Sequence, residues 1–317
     1  MTITTVGSLP SPVQQFFDNV LLSRPMPKLI HGKFAMKKEL PQGHGRTARY
    51  RRYSNLATAT VPLPDSGLTP PGQILSAIDL DATIDWYGTY VTITDQVSLI
   101  NQDPVLNQTV SLLAQSMRET EDELDRIMLA STASAINCVA GVNGDNPTEL
   151  NRTDIDSVVQ TLLTNNAMMI SDNMEGSLKF GTSPIREAFW AMMHTRILDD
   201  LEAVTGFISQ AQYPNNMNTL DAEWGSVGNV RFTYSSRGSE TLAASLNGAT
   251  VYNVFVTGQE AYADIKLTNA TANFIYTPPG GPTDPLRRLQ LGAYKFAKAP
   301  RIMNDAWIFN LRCTHSV

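Results

Sequence analysis

Charged residues, cysteine and histidine are all scarce in this sequence. Asp, Glu, Lys and Arg together make up 17% of its 317 residues, and there are two cysteines and four histidines. Soluble domains carry about 25% charged residues on average. With 42% hydrophobic residues, the chain is predicted to be globular with a sizeable core, and much of its surface is expected to meet other protein.

Long apolar runs are missing as well. No stretch approaches the roughly 18 consecutive apolar residues of a membrane span, and residues 1–13 show neither a basic leader nor an apolar signal region. We therefore expect no membrane contact and a chain that stays in the cytosol where it is made. Cys138 and Cys313 lie far apart, outside any CxxC or Cys/His cluster, which favours small buried hydrophobic side chains over a disulfide framework or a zinc site.

The net charge of −6 is unevenly distributed along the chain. Between Arg24 and Arg52 there are nine basic residues and one acid, Glu39. Such a basic arm on an acidic body fits contact with a polyanion, or pairing with an acidic protein surface of the same or a neighbouring chain. We favour the protein surface, because the arm lacks a closely packed Arg/Lys tract. Within it, Phe16 and Phe17 belong to an apolar stripe at helical spacing, too short to be stable alone, which must dock on something.

Two strand patterns predict a long ribbon. They cover Arg46 to Ser54 and Ala77 to Asp95, and the Pro- and Gly-rich residues 55–73 connect them. In the second strand, Ile78 and Trp86 share an apolar face, while the Asp residues alternate with it. The phase changes at Gly88, which predicts a bulge or a sharp twist. An isolated two-stranded ribbon is marginally stable, so its apolar face is expected to lie on another surface, without a partner strand in its own chain.

Charges on this ribbon are complementary. Two interpretations stay open for them: pairing across the ribbon, or pairing across a subunit boundary. The residues concerned are the basic Arg49, Arg51 and Arg52 and the acidic Asp79, Asp81 and Asp85.

A long helix is predicted from Asp103 and Pro104, a favourable start, to about residue 138, with one apolar seam. Its other side carries acids that include Glu119 and Glu123. The simplest interpretation is a solvated acidic face, although basic arms of neighbouring chains would also cover it.

The rest of the chain mixes helices and strands. A capping-box pattern predicts a helix from Thr153, and Ser183 with Pro184 predicts a second helix, in which Phe189, Met193, Ile197 and Leu201 repeat every four residues. Strands are predicted at 179–182, 229–235, 249–257, 261–267, 286–297 and 301–314. In the last of these, Trp307, Phe309, Leu311 and Cys313 share one face.

Signatures of enzyme chemistry are weak. Gly43, Gly45 and Ala48 fit a loose GxGxxA pattern, but no buried strand precedes it, which argues against dinucleotide binding. His194 is expected on the second helix near Asp199, Asp200 and Glu202, where a structural histidine is favoured over a general base. We therefore expect no catalytic, cofactor-binding or metal-binding residues and no cofactor.

Several short strings run nearly end to end along the chain: residues 15–18 (QFFD), 86–91 (WYGTYV), 94–95 (TD), 123–125 (ELD), 223–225 (EWG), 230–232 (VRF), 284–286 (DPL), 294–296 (YKF) and 304–307 (NDAW). These strings resemble a known family, the major capsid proteins of tailed bacteriophages, most closely the enquatrovirus-like branch. The order and spacing of these strings are more specific than any single one.

The resemblance implies an α+β fold of the Hong Kong 97 type. Residues 1–45 would form an N-terminal arm and 46–98 an extended two-stranded loop. Residues 99–145 and 286–317 would form a peripheral domain built on the long spine helix, and 146–285 an axial α+β domain. Near the loop tip, Asp65, Ser66 and Gly67 depart from the branch's usual pattern. No string identifies a Lys/Asn cross-linking pair, so non-covalent assembly is expected.

The implied function is structural. Hexamers and pentamers of the chain would build an icosahedral phage head around double-stranded DNA, contacted without sequence specificity. Portal protein, and scaffolding or decoration proteins where they are used, would be partners. The virion, assembled in the host cytoplasm, would be the location of the chain. A shell of a cellular protein compartment, or an enzyme using His194, are the alternatives. The inter-subunit contact candidates are Phe16, Phe17, Arg49, Arg51, Arg52, Asp79, Asp81, Asp85, Trp86, Glu119 and Glu123.

Overall fold

A computed structural model describes most of the chain. The described residues are 26–60, 62, 72–100, 105–140, 142–170, 172–173, 180–181, 187–213, 219–242, 244–245, 248–268, 273–280 and 286–316. The predicted arm helix with Phe16 and Phe17, and the predicted helix start at Asp103, lie outside them.

Strands outnumber helices in the described part of the chain. The helices are α1 (Asp95–Ile100), α2 (Val105–Ala130), α3 (Arg152–Thr164) and α4 (Leu198–Ala203). The strands are β1 (Met36–Leu40), β2 (Thr47–Tyr53), β3 (Ala77–Thr83), β4 (Asp85–Thr94), β5 (Ala135–Val139), β6 (Val142–Asn143), β7 (Asp172–Asn173), β8 (Phe180–Gly181), β9 (Phe189–His194), β10 (Phe207–Ser209), β11 (Glu223–Val227), β12 (Val230–Ser235), β13 (Glu240–Thr241), β14 (Val251–Thr257), β15 (Tyr262–Leu267), β16 (Asn273–Thr277), β17 (Leu289–Ile302) and β18 (Ile308–Thr314).

A five-stranded sheet is organised around the long strand β17. Along one edge β17 pairs antiparallel with β4, and along the other with β16 and then β15. Strand β1 extends the sheet by a parallel pairing with β15. Helix α2 packs on one face of β17 and β4, where Leu113 contacts a cluster with Tyr294 and Phe296. At 26 residues the helix is about 39 Å long, and it ends at Ala130 because β5 begins at Ala135; its predicted continuation to 138 was wrong.

The predicted ribbon is only partly a ribbon. Its second strand divides at Ile84: β3 pairs with β2 as predicted, but β4 pairs with β17 of the same chain. The expectation of no partner strand was therefore wrong for β4. The bulge expected at Gly88 is not found, because the pairing of β4 with β17 runs in unbroken register. The glycine permits a close approach instead, since a Cβ atom at Gly88 would lie 2.5 Å from the carbonyl oxygen of Tyr294.

A nine-stranded sheet forms the core of the remaining body. Its strand order is β10-β11-β12-β9-β14-β18-β5-β6, with β13 attached to β14. Phe309, Leu311 and Cys313 lie in its largest hydrophobic cluster, and Trp307 packs against that cluster. This confirms the shared apolar face predicted for the last strand.

The helix predicted after Ser183 was largely wrong. Phe189–His194 is strand β9, buried on both faces in the middle of the sheet, and a 3₁₀ turn at 195–197 and the short α4 follow it. A spacing of four residues places side chains on one face of a strand as well as of a helix. The repeat of Phe189 and Met193 therefore did not distinguish the two, and the continuous apolar run is the better strand signal.

Candidate assembly surfaces

The charged face of the ribbon is a ladder of ion pairs within the chain. Arg49 lies opposite Asp81, and Arg51 lies opposite Asp79, in the register of β2 and β3. The guanidinium of Arg49 donates from Nε and Nη2 to the two carboxylate oxygens of Asp81, at 2.6 and 2.9 Å. Arg51 binds Asp79 in the same bidentate way, at 2.7 and 2.9 Å. Of the two interpretations left open by the sequence, pairing across the ribbon is the one the structure contains.

These ion pairs favour the ionised form of the two aspartates and fix the register of β2 against β3. The hydrogen bond from Arg51 lowers the pKa of Asp79, and the hydrogen bond from Arg49 lowers the pKa of Asp81. Asp85 pairs with Arg46 at the base of the ribbon. Arg52 lies opposite Ile78 instead, and therefore on the other face. Exposed pairs of this kind contribute little to stability, so their main effect is on strand register.

The apolar face of the ribbon is covered at its base and open toward its tip. Ala48, Ala82 and Ile84 are buried against the β15 and β17 side chains of the five-stranded sheet. Farther out on this face Ile78 is exposed, and the adjoining Leu75 and Ile74, which precede β3, are 66% and 90% exposed. Among the described residues, nothing covers this outer part. We call this outer part the apolar strip; exposed apolar side chains grouped on an extended element are typical of an interaction site.

Trp86 lies on the face of the five-stranded sheet that is turned away from α2. It is opposite Ala297, and Tyr90 is opposite Ala293, whereas the intervening Tyr294 points toward the helix. Trp86 is 57% exposed and Tyr90 is 69% exposed. The ammonium of Lys295 lies 5.7 Å from the Trp86 ring centroid. This face therefore continues the apolar strip of the ribbon with two large, uncovered aromatic side chains.

The acidic side of α2 is covered by basic groups of its own chain, so the expectation of a solvated face was wrong. Glu119 binds Arg237 at 2.5 Å, and Glu123 pairs with Arg126 and lies 3.7 Å from Arg237. Glu121 binds Lys266 at 2.9 Å. Helix α2 is therefore bound to the rest of the protein by ion pairs with Arg237 and Lys266.

The described end of the basic arm, residues 28–35, is anchored between α2 and the body. The backbone N–H of His31 donates to Oδ1 of Asp122 at 2.8 Å, and the His31 ring nitrogen Nδ1 lies 2.7 Å from Oδ2. Burial alone would raise the pKa of Asp122, but the hydrogen bonds from His31 prevail and lower it. The Tyr262 hydroxyl donates to the carbonyl of His31 at 2.5 Å, and Phe34 stacks on Trp190.

A buried cluster of one lysine and two aspartates lies beside this anchor. Nζ of Lys298 is 2.7 Å from Oδ2 of Asp125 and 3.4 Å from Oδ1 of Asp264. Burial raises the pKa of Asp125 to about 7, and the nearby Asp264 carboxylate adds to the rise. Since one ammonium serves two buried carboxylates, one carboxyl group retains a proton more readily than usual.

Sequence reasoning missed both buried clusters. Asp122 and Asp125 were a usable signal, because they lie three residues apart on α2 and so share one face of the helix. Their partners His31 and Lys298 are remote in sequence, and only the tertiary structure brings them together.

His194 is the last residue of β9, and its surroundings are structural. Its ring nitrogen Nδ1 accepts a hydrogen bond from the backbone N–H of Arg196 at 3.0 Å, and its ring packs on Tyr252. Burial lowers the pKa of His194. Of the expected carboxylates, Asp200 binds His315 at 3.0 Å and Glu202 accepts from Trp224. The predicted proximity of His194 to these acids does not produce a His/carboxylate pair.

Among the residues that the structure describes, no group of three or more His, Cys, Asp or Glu side chains is arranged to hold a metal ion. No helix there is long and apolar enough to cross a membrane.

Comparisons with known proteins give a clear result at the level of structure alone. No model of a protein family and no curated protein matches the sequence. The capsid protein of Ralstonia phage GP4 is similar with a TM-score of 0.70 and 12% identity, covering 100% of this chain and 99% of that one. The capsid of cyanophage P-SCSP1u has a TM-score of 0.65 and 12% identity, covering 96% of this chain and 94% of that one. The capsid of cyanophage Pam1 has a TM-score of 0.65 and 13% identity, covering 96% of this chain and 97% of that one. The chain has the fold of phage capsid proteins over nearly its whole length.

Proposed function

We propose that this chain is the major capsid protein of a tailed bacteriophage, a structural subunit that assembles into an icosahedral head. The observation that carries the proposal is the end-to-end agreement of its fold with capsid proteins of several phages. The agreement also covers 94–99% of those capsid chains.

Exposed apolar surface supports the proposal independently. The outer ribbon and the Trp86 face offer large uncovered side chains to a neighbouring copy, and burial of such surface is the dominant favourable term in association. Trp86 and the ribbon residues Arg49, Arg51, Arg52, Asp79, Asp81 and Asp85 remain our candidates for contacts between subunits. The four charges in the ladder already have partners within the chain, so their role there is to keep the ribbon rigid. Glu119 and Glu123 are weaker candidates because Arg237 occupies them.

Finer features follow from the sequence resemblance. We propose the Hong Kong 97 type of coat fold and an enquatrovirus-like origin, with the arm, loop, peripheral and axial regions bounded as above. Hexamers and pentamers would enclose double-stranded DNA, whose contact with the inner surface would be electrostatic and independent of sequence. Portal protein, and scaffolding or decoration proteins where they are used, would complete a virion assembled in the host cytoplasm.

Negative-stain microscopy of the purified chain tests the proposal. Under assembly conditions we expect closed particles or capsomers of five and six copies. Leu75→Asp in the outer ribbon should abolish them, because it places a charge in the apolar strip. Leu163→Asp, at an exposed leucine on α3, is the matched control and should still assemble.

A chain that stays monomeric in every assembly condition, with its ribbon protected from protease, would contradict the proposal. Assembly that survives Leu75→Asp but not Leu163→Asp would reject the ribbon as the contact surface while leaving the shell function intact.

A further inference from the structure

The only two cysteines of the chain lie side by side, although they are remote in sequence. Strand β18 pairs in parallel with β5, with Leu311 opposite Ile136 and Arg312 opposite Asn137. The pairing ends there, and Cys313 and Cys138 are the next residue on each strand, just before Thr148 enters between Cys138 and Thr314. Both are free thiols, fully buried in the same hydrophobic cluster. Neighbouring positions on paired strands are few, so random placement rarely brings a chain's two cysteines together.

The placement of the two cysteines on neighbouring strands is compatible with a disulfide. Neighbouring strands lie about 4.7–4.9 Å apart, and the Cα atoms of a disulfide usually lie about 4.4–6.8 Å apart. The two side chains share one face of the sheet, since both enter the same cluster. Hydrogen bonding between the thiols, together with burial, raises the pKa of Cys138. The Cys313 thiol also donates to the carbonyl of Tyr252 at 3.7 Å. Burial keeps both thiols protonated, and so unreactive, while the sheet is closed.

The two cysteines lie near one edge of the sheet, where local opening would let an oxidant reach them. Strand β5 is next to last in the strand order, and only the two-residue strand β6 lies beyond it. Edge elements with few contacts open locally at a lower free energy than the core. Opening of β6 and β5 would expose both sulfur atoms together.

We propose that Cys138 and Cys313 form an intrachain disulfide when the folded chain meets a small disulfide oxidant such as oxidised glutathione. One cysteine thiolate attacks a sulfur of the oxidant, releases one glutathione thiol and leaves a mixed disulfide. The second cysteine attacks the protein sulfur of that mixed disulfide and releases the second glutathione. Both thiol protons leave with the two glutathione molecules, the cysteines are oxidised and the oxidant is reduced.

The bond would tie the strand that follows α2 to β18. It closes a loop from residue 138 to residue 313, and long loops give the largest stabilisation in the chain-entropy description. Since disulfides persist outside reducing cytosol, the bond would strengthen the protein after it leaves the cell in which it is made. Formation of the bond does not depend on the proposed function, and only its benefit outside the cell rests on that function.

Mass spectrometry of the full chain tests it. The protein is held with a large excess of oxidised glutathione, then unfolded in an alkylating agent. We expect a mass lower by about 2 Da, from the loss of two hydrogens, no alkylation, and a linked peptide pair containing Cys138 and Cys313. The unfolding midpoint should rise by roughly 5 °C relative to the reduced protein.

Cys138→Ala and Cys313→Ala are the controls, since each retains a single thiol. Neither should change in midpoint between oxidised and reduced samples. Wild-type protein needs no substitution to give its own answer, so poor folding of a control does not weaken the test. Two alkylated thiols after oxidation, a lasting glutathione adduct, or a bond between two copies would each overturn the proposal.

Discussion

Nζ of Lys298 on β17 lies 2.7 Å from Oδ2 of Asp125 on α2, and both side chains are almost wholly buried. The ammonium also donates to the carbonyl of Glu121 at 3.0 Å. Isolating charges from water is costly, and a buried pair of this kind is stable only when its geometry and additional hydrogen bonds compensate. The contact fixes how the long helix lies on the five-stranded sheet, because a shift of either element would leave the charges unpaired.

Removal of the lysine charge should be strongly destabilising. We predict that Lys298→Met lowers the free energy of unfolding by about 3–5 kcal/mol, because two buried carboxylates lose their common partner. Urea unfolding of the unassembled protein measures the effect. Lys38→Met removes an exposed lysine on β1 and should change the value by less than about 0.5 kcal/mol. Equal midpoints for the two variants would show that the cluster has no structural role.

The pH dependence of stability should carry the signature of Asp125. Its pKa is raised from 3.8 to about 7 in the folded protein, so between these values the folded state keeps a proton that the unfolded chain releases. The contribution of this group to the free energy of unfolding therefore falls as the pH rises, by at most about 1.4 kcal/mol per pH unit. The effect of Asp122 on the free energy of unfolding has the opposite sign. The pKa of Asp122 is lowered in the folded protein, so its stabilising contribution is lost as the pH falls below about 4.

Asp125→Asn tests this assignment because the amide does not titrate. Urea titrations of wild type and variant at several pH values between about 4 and 7 should show that the falling contribution is missing from the variant. Parallel pH curves for the two proteins would exclude Asp125 as the titrating group.

Gly88 should tolerate no side chain. We predict that Gly88→Ala costs about 1–3 kcal/mol of stability, because the new Cβ would lie 2.5 Å from the carbonyl oxygen of Tyr294 and would push β4 away from β17. Gly72→Ala is the matched control, since nothing lies within 4 Å of its Cβ position. Thermal unfolding compares them, and a neutral Gly88→Ala would mean that the two strands are less closely paired than described.

Trp86 should matter for assembly more than for folding. Trp86→Ala is expected to change the free energy of unfolding of the unassembled protein by less than about 1 kcal/mol, because its side chain is largely exposed. The assembled fraction, measured by sedimentation, should fall sharply if a neighbouring copy covers this face. Leu163→Ala provides the control. Normal assembly of Trp86→Ala would remove this residue from the contact candidates.

Local patterns predicted several elements correctly. Alternation of apolar and acidic residues around Asp79 and Asp81 predicted the ribbon strands, and the helical seam predicted most of α2. These elements could be predicted from the sequence because each depends on the spacing of neighbouring residues along the chain. The same reasoning was wrong for Phe189–His194, because a repeat of four residues fits both a helix and a buried strand.

By itself the sequence determined the low content of charged residues, the excess of basic residues between Arg24 and Arg52, the two ribbon strands and a resemblance that pointed to the fold. Only the tertiary structure decided which side chains meet. Lys298 and Asp125, His31 and Asp122, and Cys138 and Cys313 are each brought together by the packing of elements remote in sequence. Periodicity along a chain reports which face a side chain occupies, but not which other face lies against it, and that second fact depends on the topology of the whole sheet and its helices.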